Sequence, residues 1–211
     1  SYENIDLFPS CIKHLVTAGE QLTVSETFRS YLKKREICLH NHYGPSETHV
    51  VTTLTIKPND EIPELPSIGY PIQNTSIFIL DGFRNIQPIG IVGELYIEGA
   101  SVGRGYIGNE KLTSERFIEN PFNVERRLYK TGDLARWLSN GTIEFLGRKD
   151  YQVKIRGYRI ELGEIENCLM NHEFVKEAVV IDIEDQTSMK FLCAYIVLSS
   201  SIDNLDEILK D

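Results

Sequence analysis

Residues 147–166 read GRKDYQVKIRGYRIELGEIE, and the character of the chain changes within them. Gly147-Arg148-Lys149-Asp150 sets three charges behind a glycine, a polar joint with little apolar surface to fasten it to either side, as at a domain boundary. Beyond it, residues 152–156 read as a strand. A helix follows over about 162–172, with Leu162, Ile165 and Leu169 on one stripe. Two further apolar runs, 178–183 and 191–198, predict strands, and 205–209 opens a second helix. Together these make a small α+β unit over 151–211, set off by the joint at 148–150.

On the other side of the joint the pattern is β-rich. Residues 50–56, 76–80, 93–97 and 142–146 alternate or run apolar between clusters of Asp, Gly, Asn and Pro, predicting a barrel-like body over about 60–147. One helix near Thr113, carrying Phe117, interrupts it. The first fifty residues look α/β. A short strand over 12–16 ends at Ala18-Gly19, and Ser25 caps a helix that aligns Phe28, Tyr31 and Leu32. A strand over 37–39 then runs into a polar loop, 40–48. Residues 1–147 thus read as one large unit in two parts. The fold class is α/β and β-rich with several subdomains.

Composition narrows the function. The 211 residues carry 31 acidic and 22 basic side chains, a net charge of −9, with 41% hydrophobic residues. That balance suits a globular protein and offers no basic surplus to displace counterions from nucleic acid. No apolar run approaches the ~20 residues of a membrane span, and the N-terminus lacks a secretory signal, so the expected setting is cytoplasmic. The cysteines, Cys11, Cys38, Cys168 and Cys193, stand singly without CxxC spacing, as free thiols do in a reducing compartment.

Three stretches carry chemistry. Tyr43-Gly44-Pro45-Ser46-Glu47-Thr48 combines an aromatic face, two backbone-shaping residues, a hydroxyl and a carboxylate, enough to stack a flat ring, bond a phosphate and ligate magnesium. Each feature taken alone also suits an ordinary surface turn. Tyr129-Lys130-Thr131-Gly132-Asp133 sets a carboxylate after a glycine, where it accepts two ribose hydroxyls, or simply faces solvent on a loop. Arg148 offers a guanidinium for phosphate or sugar oxygens. His40 and His42 alternate as along one strand face, which invites zinc, but no third ligand cluster stands nearby in sequence.

In this order, with Gly93-Glu94-Leu95-Tyr96-Ile97 and Gly103-Arg104-Gly105-Tyr106 between them and 147–166 at the end, these stretches resemble the adenylation domains of nonribosomal peptide synthetases. Those domains belong to the adenylate-forming, AMP-binding enzymes. The likeness spans nearly the whole chain. It implies that Tyr43 stacks on adenine and that Asn41 reads the adenine edge or supports the loop. Gly44 belongs to the same nucleotide-binding turn, in which Ser46 contacts the α-phosphate and Glu47 ligates Mg. It further implies that Asp133 holds the ribose hydroxyls with Arg148 beside the same sugar, while Phe145 stands where the family often has Tyr.

The resemblance also implies ATP as co-substrate, an amino acid activated as its adenylate, and transfer to the phosphopantetheine thiol of a peptidyl carrier domain. Residues 148–150 would be the hinge, with Asp150 as its pivot, and Lys154, Arg156 and Gly157 the loop that faces the site in the thioester-forming state. Alignment with the family gives the pocket as Val16, Ala18, His42, Val50 and Val51, which favours an apolar or aromatic side chain. A charged one would lose its hydration there without replacement. The family's phosphate loop is expected upstream of Ser1 and its adenylation lysine beyond Asp211, so no catalytic residue is assigned and the chain alone is expected to be inactive. An acyl-CoA synthetase of the same family is the alternative, although Gln152-Val153-Lys154-Ile155-Arg156-Gly157 reads like the peptide-synthetase branch. A non-catalytic carrier-docking fragment is the other.

Overall fold

A computed structural model of the chain describes residues 8–150, 152–155, 157–185 and 190–199. It divides into two compact units, residues 1–150 and 151–211.

The larger unit begins with a parallel pair, β1 (His14–Ala18) and β2 (Cys38–Tyr43), joined through helix α1 (Glu26–Lys34). Ser25 caps α1 as expected, its hydroxyl accepting from the Phe28 amide at 3.2 Å, and the helix buries Phe28 and Leu32. They pack with Leu22, Val24, Ile37, Leu39, Ile56 and Ile62 into a core under one face of the sheet. β2 is longer than the predicted strand: the stretch read as a polar loop from His40 is paired backbone as far as Tyr43. Its polar side chains are tolerated because burial alternates along β2, with Leu39, Asn41 and Tyr43 turned inward and His40 and His42 on the other face. Antiparallel β3 (Thr52–Ile56) and the short β4 (Tyr70–Pro71) complete this sheet, with β1 at its end.

The barrel-like body follows. β5 (Thr75–Leu80), β6 (Gly93–Gly99), β7 (Phe117–Glu119), β8 (Arg127–Trp137) and β9 (Ile143–Arg148) form an antiparallel sheet in which β8 is the hub. β8 pairs with β6 on one side; on the other, its first half meets β7 and its second half meets β9. Reciprocal hydrogen bonds of 2.9 and 3.0 Å between Ile143 and residues 68–69 tie β9 to the segment entering β4. The core runs through Ile77, Ile79, Leu95, Ile97, Tyr129 and Ile143, reaching Tyr43 and Val51 of the first part.

Two sequence expectations change here. The helix near Thr113 is α2 (Glu110–Arg116), and Phe117 is not on it but opens β7. Asp133 lies inside β8 rather than on a solvated loop, because strands on both sides pair this polar stretch and bury it.

In the smaller unit, β10 (Gln152–Ile155) and β11 (Tyr158–Glu161) form a hairpin closed by the Ile155–Tyr158 pair, with Gly157 at φ +79° in its turn. Helix α3 (Leu162–Met170) packs beside the long antiparallel ribbon of β12 (Val175–Glu184) and β13 (Lys190–Leu198). The Glu166 carboxylate accepts from the Val180 amide at 2.9 Å. The predicted helix at 205–209 lies outside the described residues.

Candidate active site

Tyr43 ends β2 at the point where the chain enters the Gly44-Pro45-Ser46 turn. That turn is tight: a Cβ on Gly44 would stand 1.7 Å from the His49 carbonyl oxygen, so only glycine fits against it. The buried Tyr43 hydroxyl donates to Asp133 on β8, and its ring lies 6.0 Å from that of Phe145 on β9. Asp133 accepts a second hydrogen bond, at 2.7 Å, from Arg148 at the end of β9, the strand that pairs Asp133 with Arg148 in register. Three residues given one nucleotide by the sequence resemblance therefore meet through direct bonds.

Thr131 shapes this corner. Its hydroxyl donates to the Leu95 carbonyl at 2.7 Å and accepts from the Asp133 amide at 2.9 Å, while Gly132 between them takes φ +78°. The register of β8 shifts at this point against both β6 and β9, which is what turns the Asp133 carboxylate towards Tyr43 and Arg148.

Burial and the Asp133 charge hold the Tyr43 hydroxyl well above its ordinary range. Burial pulls Arg148 the other way from its carboxylate partners, yet hydrogen bonds to Asp150 and the charge of Asp133 raise its pKa overall. The pair is an anionic acceptor and a cationic donor side by side, suited to a ligand bearing vicinal hydroxyls and a phosphate.

Asn41, buried on the inward face, donates to the Ser67 carbonyl at 2.9 Å and so braces the segment before β4. Ser46 is exposed at the turn. Glu47 follows it, its carboxylate accepting from the Tyr106 hydroxyl at 2.6 Å and its carbonyl from the Gly103 amide at 2.9 Å. One oriented carboxylate beside a hydroxyl fits magnesium, which takes one or two carboxylates and completes its shell with water and substrate phosphates. Among the described residues no three His, Cys, Asp or Glu side chains converge as a metal-binding group.

The pocket positions divide. Val16, Ala18 and His42 share the outer face of β1 and β2, the parallel register setting Ala18 beside His42 and Val16 beside His40. Val50 is half-buried, and Val51 is fully buried in the core with Tyr43 and Ile68. Asp150 closes the larger unit, held by a forked pair with Arg148 at 2.6 and 2.7 Å. Lys154 is half-buried on β10, Gly157 is exposed in the hairpin turn, and Arg156 lies outside the described residues.

Two residues without a role in the sequence reading belong to this region. Tyr106 orients Glu47, and only its place after Gly103-Arg104-Gly105 marked it. Arg116, at the end of α2, pairs with Asp150 at 3.6 Å, and no local pattern signals that.

Comparison with known proteins gives the family. The AMP-binding enzyme family matches residues 2–107 and the AMP-binding enzyme C-terminal domain matches residues 164–211. The chain belongs to the AMP-binding enzyme family. It is 61% identical to gramicidin S synthase 2 of Brevibacillus brevis over 202 residues, 96% of this chain and 4% of that protein. To tyrocidine synthase 2 of Brevibacillus parabrevis it is 60% identical over 197 residues, 93% of this chain and 6% of the other. Among solved structures it superposes with a TM-score of 0.80 at 28% identity on PA1221, described as an NRPS protein containing adenylation and PCP domains, covering 97% of this chain and 42% of that one. Within the family the chain is part of an adenylation domain of the nonribosomal peptide synthetase kind.

Proposed function

We propose that the domain to which this chain belongs joins ATP and an amino acid into an aminoacyl-adenylate and passes the acyl group to a carrier-domain thiol. The observation that carries this is the meeting of Tyr43, Asp133 and Arg148, brought from three separate strands to one buried corner. In the first step an amino-acid carboxylate oxygen attacks the α-phosphorus and pyrophosphate leaves. In the second the phosphopantetheine thiolate attacks the acyl carbon and AMP leaves. Asp133 takes the ribose hydroxyls, Arg148 the neighbouring oxygens, and the Tyr43 ring a face of the adenine. Ser46 meets the α-phosphate, and Glu47, oriented by Tyr106, would hold Mg, whose charge would offset that of the triphosphate.

The joint at 148–150 pivots at Asp150 between the two steps, and the β10–β11 turn with Lys154, Arg156 and Gly157 attends the thiol in the second. Val16, Ala18 and His42, with half-buried Val50, line the amino-acid side, which favours an apolar or aromatic substrate; Val51 lies in the core and takes no part in the lining. The setting is cytoplasmic; no helix among the described residues is long and apolar enough to cross a membrane.

The test compares the complete adenylation domain with the isolated 211-residue chain in amino-acid-dependent ATP–pyrophosphate exchange. The complete domain exchanges. The chain alone does not, because no Gly-, Ser- and Thr-rich phosphate loop and no Asn-Gly-Lys lysine occur in its sequence. Exchange by the isolated chain above a blank overturns the second expectation, and a complete domain that activates only fatty or aryl acids overturns the first.

A further inference from the structure

One guanidinium bridges the two carboxylates that the proposed function treats separately. Arg148 donates from Nη1 to Asp133 at 2.7 Å, and from Nε and Nη2 to Asp150 at 2.6 and 2.7 Å. A second cation reaches Asp150 from a distant element: Nη2 of Arg116, the last residue of α2, lies 3.6 Å from Asp150 Oδ2. Gly132 is what lets the three side chains close up. A Cβ there would stand 2.7 Å from Arg148 Nη2, 2.9 Å from Asp150 Oδ2 and 3.3 Å from Arg116 Nη1. The backbone of the joint is fastened at the same place, the Lys149 amide donating to the Gly132 carbonyl at 2.9 Å and the Lys149 ammonium reaching Glu94 at 3.3 Å.

The two arginines are not equivalent. All three nitrogens of Arg148 donate within hydrogen-bond distance, and its side chain is 12% exposed. Arg116 meets Asp150 beyond hydrogen-bond distance, with both side chains partly open to water. Such a pair biases a conformation without locking it, because parting it leaves no buried charge stranded. Those are the properties of a contact that opens and closes in each turnover.

We propose that Arg116 is a positioning residue for the joint: by pairing with Asp150 it sets how readily the backbone there turns, while Arg148 carries the state of the ribose carboxylate Asp133 to the same group. This rests on the reading of Asp150 as the pivot. A ribose bound to Asp133 competes for the oxygens that Arg148 now holds, so Arg148 shifts its hold on Asp150 and Arg116 remains as the counter-charge.

The experiment measures both half-reactions, pyrophosphate exchange and thioester formation, in the complete adenylation domain with its carrier domain. Arg116→Gln changes their ratio about threefold or more, with the KM for ATP within about twofold of the unsubstituted protein, and Arg116→Lys keeps the original ratio. Loss of both half-reactions in proportion, as a merely structural role produces, overturns the proposal, as does a Lys variant that behaves like Gln. Asp150→Ala is measured alongside. A ratio unmoved by Asp150→Ala overturns the pivot reading and this proposal with it. A ratio moved by Asp150→Ala but not by Arg116→Gln overturns the role of Arg116 alone.

Discussion

The Tyr43 hydroxyl donates a hydrogen bond to the Asp133 carboxylate across 90 positions of sequence. Tyr43 ends a strand of the first sheet, and Asp133 sits in the hub strand of the second, so this bond joins the two sheets of the larger unit at the proposed nucleotide site. On the proposed function, stability and nucleotide binding are therefore linked at one carboxylate.

Asp133→Ala in the complete domain raises the apparent KM for ATP. Loss of a charge-assisted hydrogen bond costs on the order of 1.5–3 kcal/mol, which is about ten- to hundredfold in affinity. In the isolated chain the same change lowers the urea midpoint, since a largely buried Arg148 loses one of its two carboxylates. Unchanged values in both measurements contradict the assignment.

Alkaline titration reads the buried tyrosines. Burial and the Asp133 charge hold Tyr43 well above the ordinary value of 10.0, burial and the Tyr106 hydroxyl raise Tyr129, and burial with Glu94 pushes Tyr96 up to about 12. At pH 11 the folded chain therefore ionises fewer of its ten tyrosines than the urea-unfolded chain, by absorbance. The sign follows: above pH 10 the unfolded state releases protons that the folded state keeps, so stability falls as pH rises. Tyr43→Phe makes the shortfall one tyrosine smaller.

On the acid side His40 is the group to follow. Burial, then the neighbouring His14 and His42, lower its pKa from the usual 6.5. Its ring nitrogens lie 2.9 Å from His14 and 3.0 Å from the Thr55 hydroxyl. A base whose folded pKa is depressed binds protons more readily when unfolded, so stability is present above 6.5 and is lost as pH falls below it. Urea midpoints taken between pH 7.5 and 5.5 decline, and His40→Gln flattens that decline; equal slopes in the two proteins contradict the reading.

Substrate choice gives a fourth measurement. The outer face of β1 and β2 offers Val16, Ala18 and His42, with no carboxylate or fixed cation among them. The complete domain, assayed in exchange against the twenty proteinogenic amino acids, prefers an apolar or aromatic one over Lys, Arg, Asp and Glu. A preference for a charged side chain refutes the pocket.

Local pattern made much of the fold legible. Ser25 marked the start of α1, and the apolar runs marked β3, β5, β6, β9, β12 and β13 to within a few residues. It failed at β8, where Lys130, Thr131, Gly132 and Asp133 look like a turn when read alone. Pairing with β6, β7 and β9 overrides that, because neighbours on both sides satisfy the backbone and shield the polar groups. The same polar character hid β11, whose Tyr158-Arg159-Ile160-Glu161 has too little apolar content to signal a strand.

Chemical identity came from the sequence alone: the residue types in Tyr43–Glu47, Asp133 and Arg148–Asp150, and their order, define the family without reference to their positions in space. Their convergence did not. Asp133 meets Tyr43 because two sheets pack against each other, and meets Arg148 because β8 and β9 pair in register with a shift beside Asp133. Arg116 reaches Asp150 only because Gly132 leaves room between them. Residue type is a local property, read one position at a time. Which carboxylate shares which guanidinium depends on non-local pairing and on the space a missing Cβ leaves, and these exist only once the chain has folded.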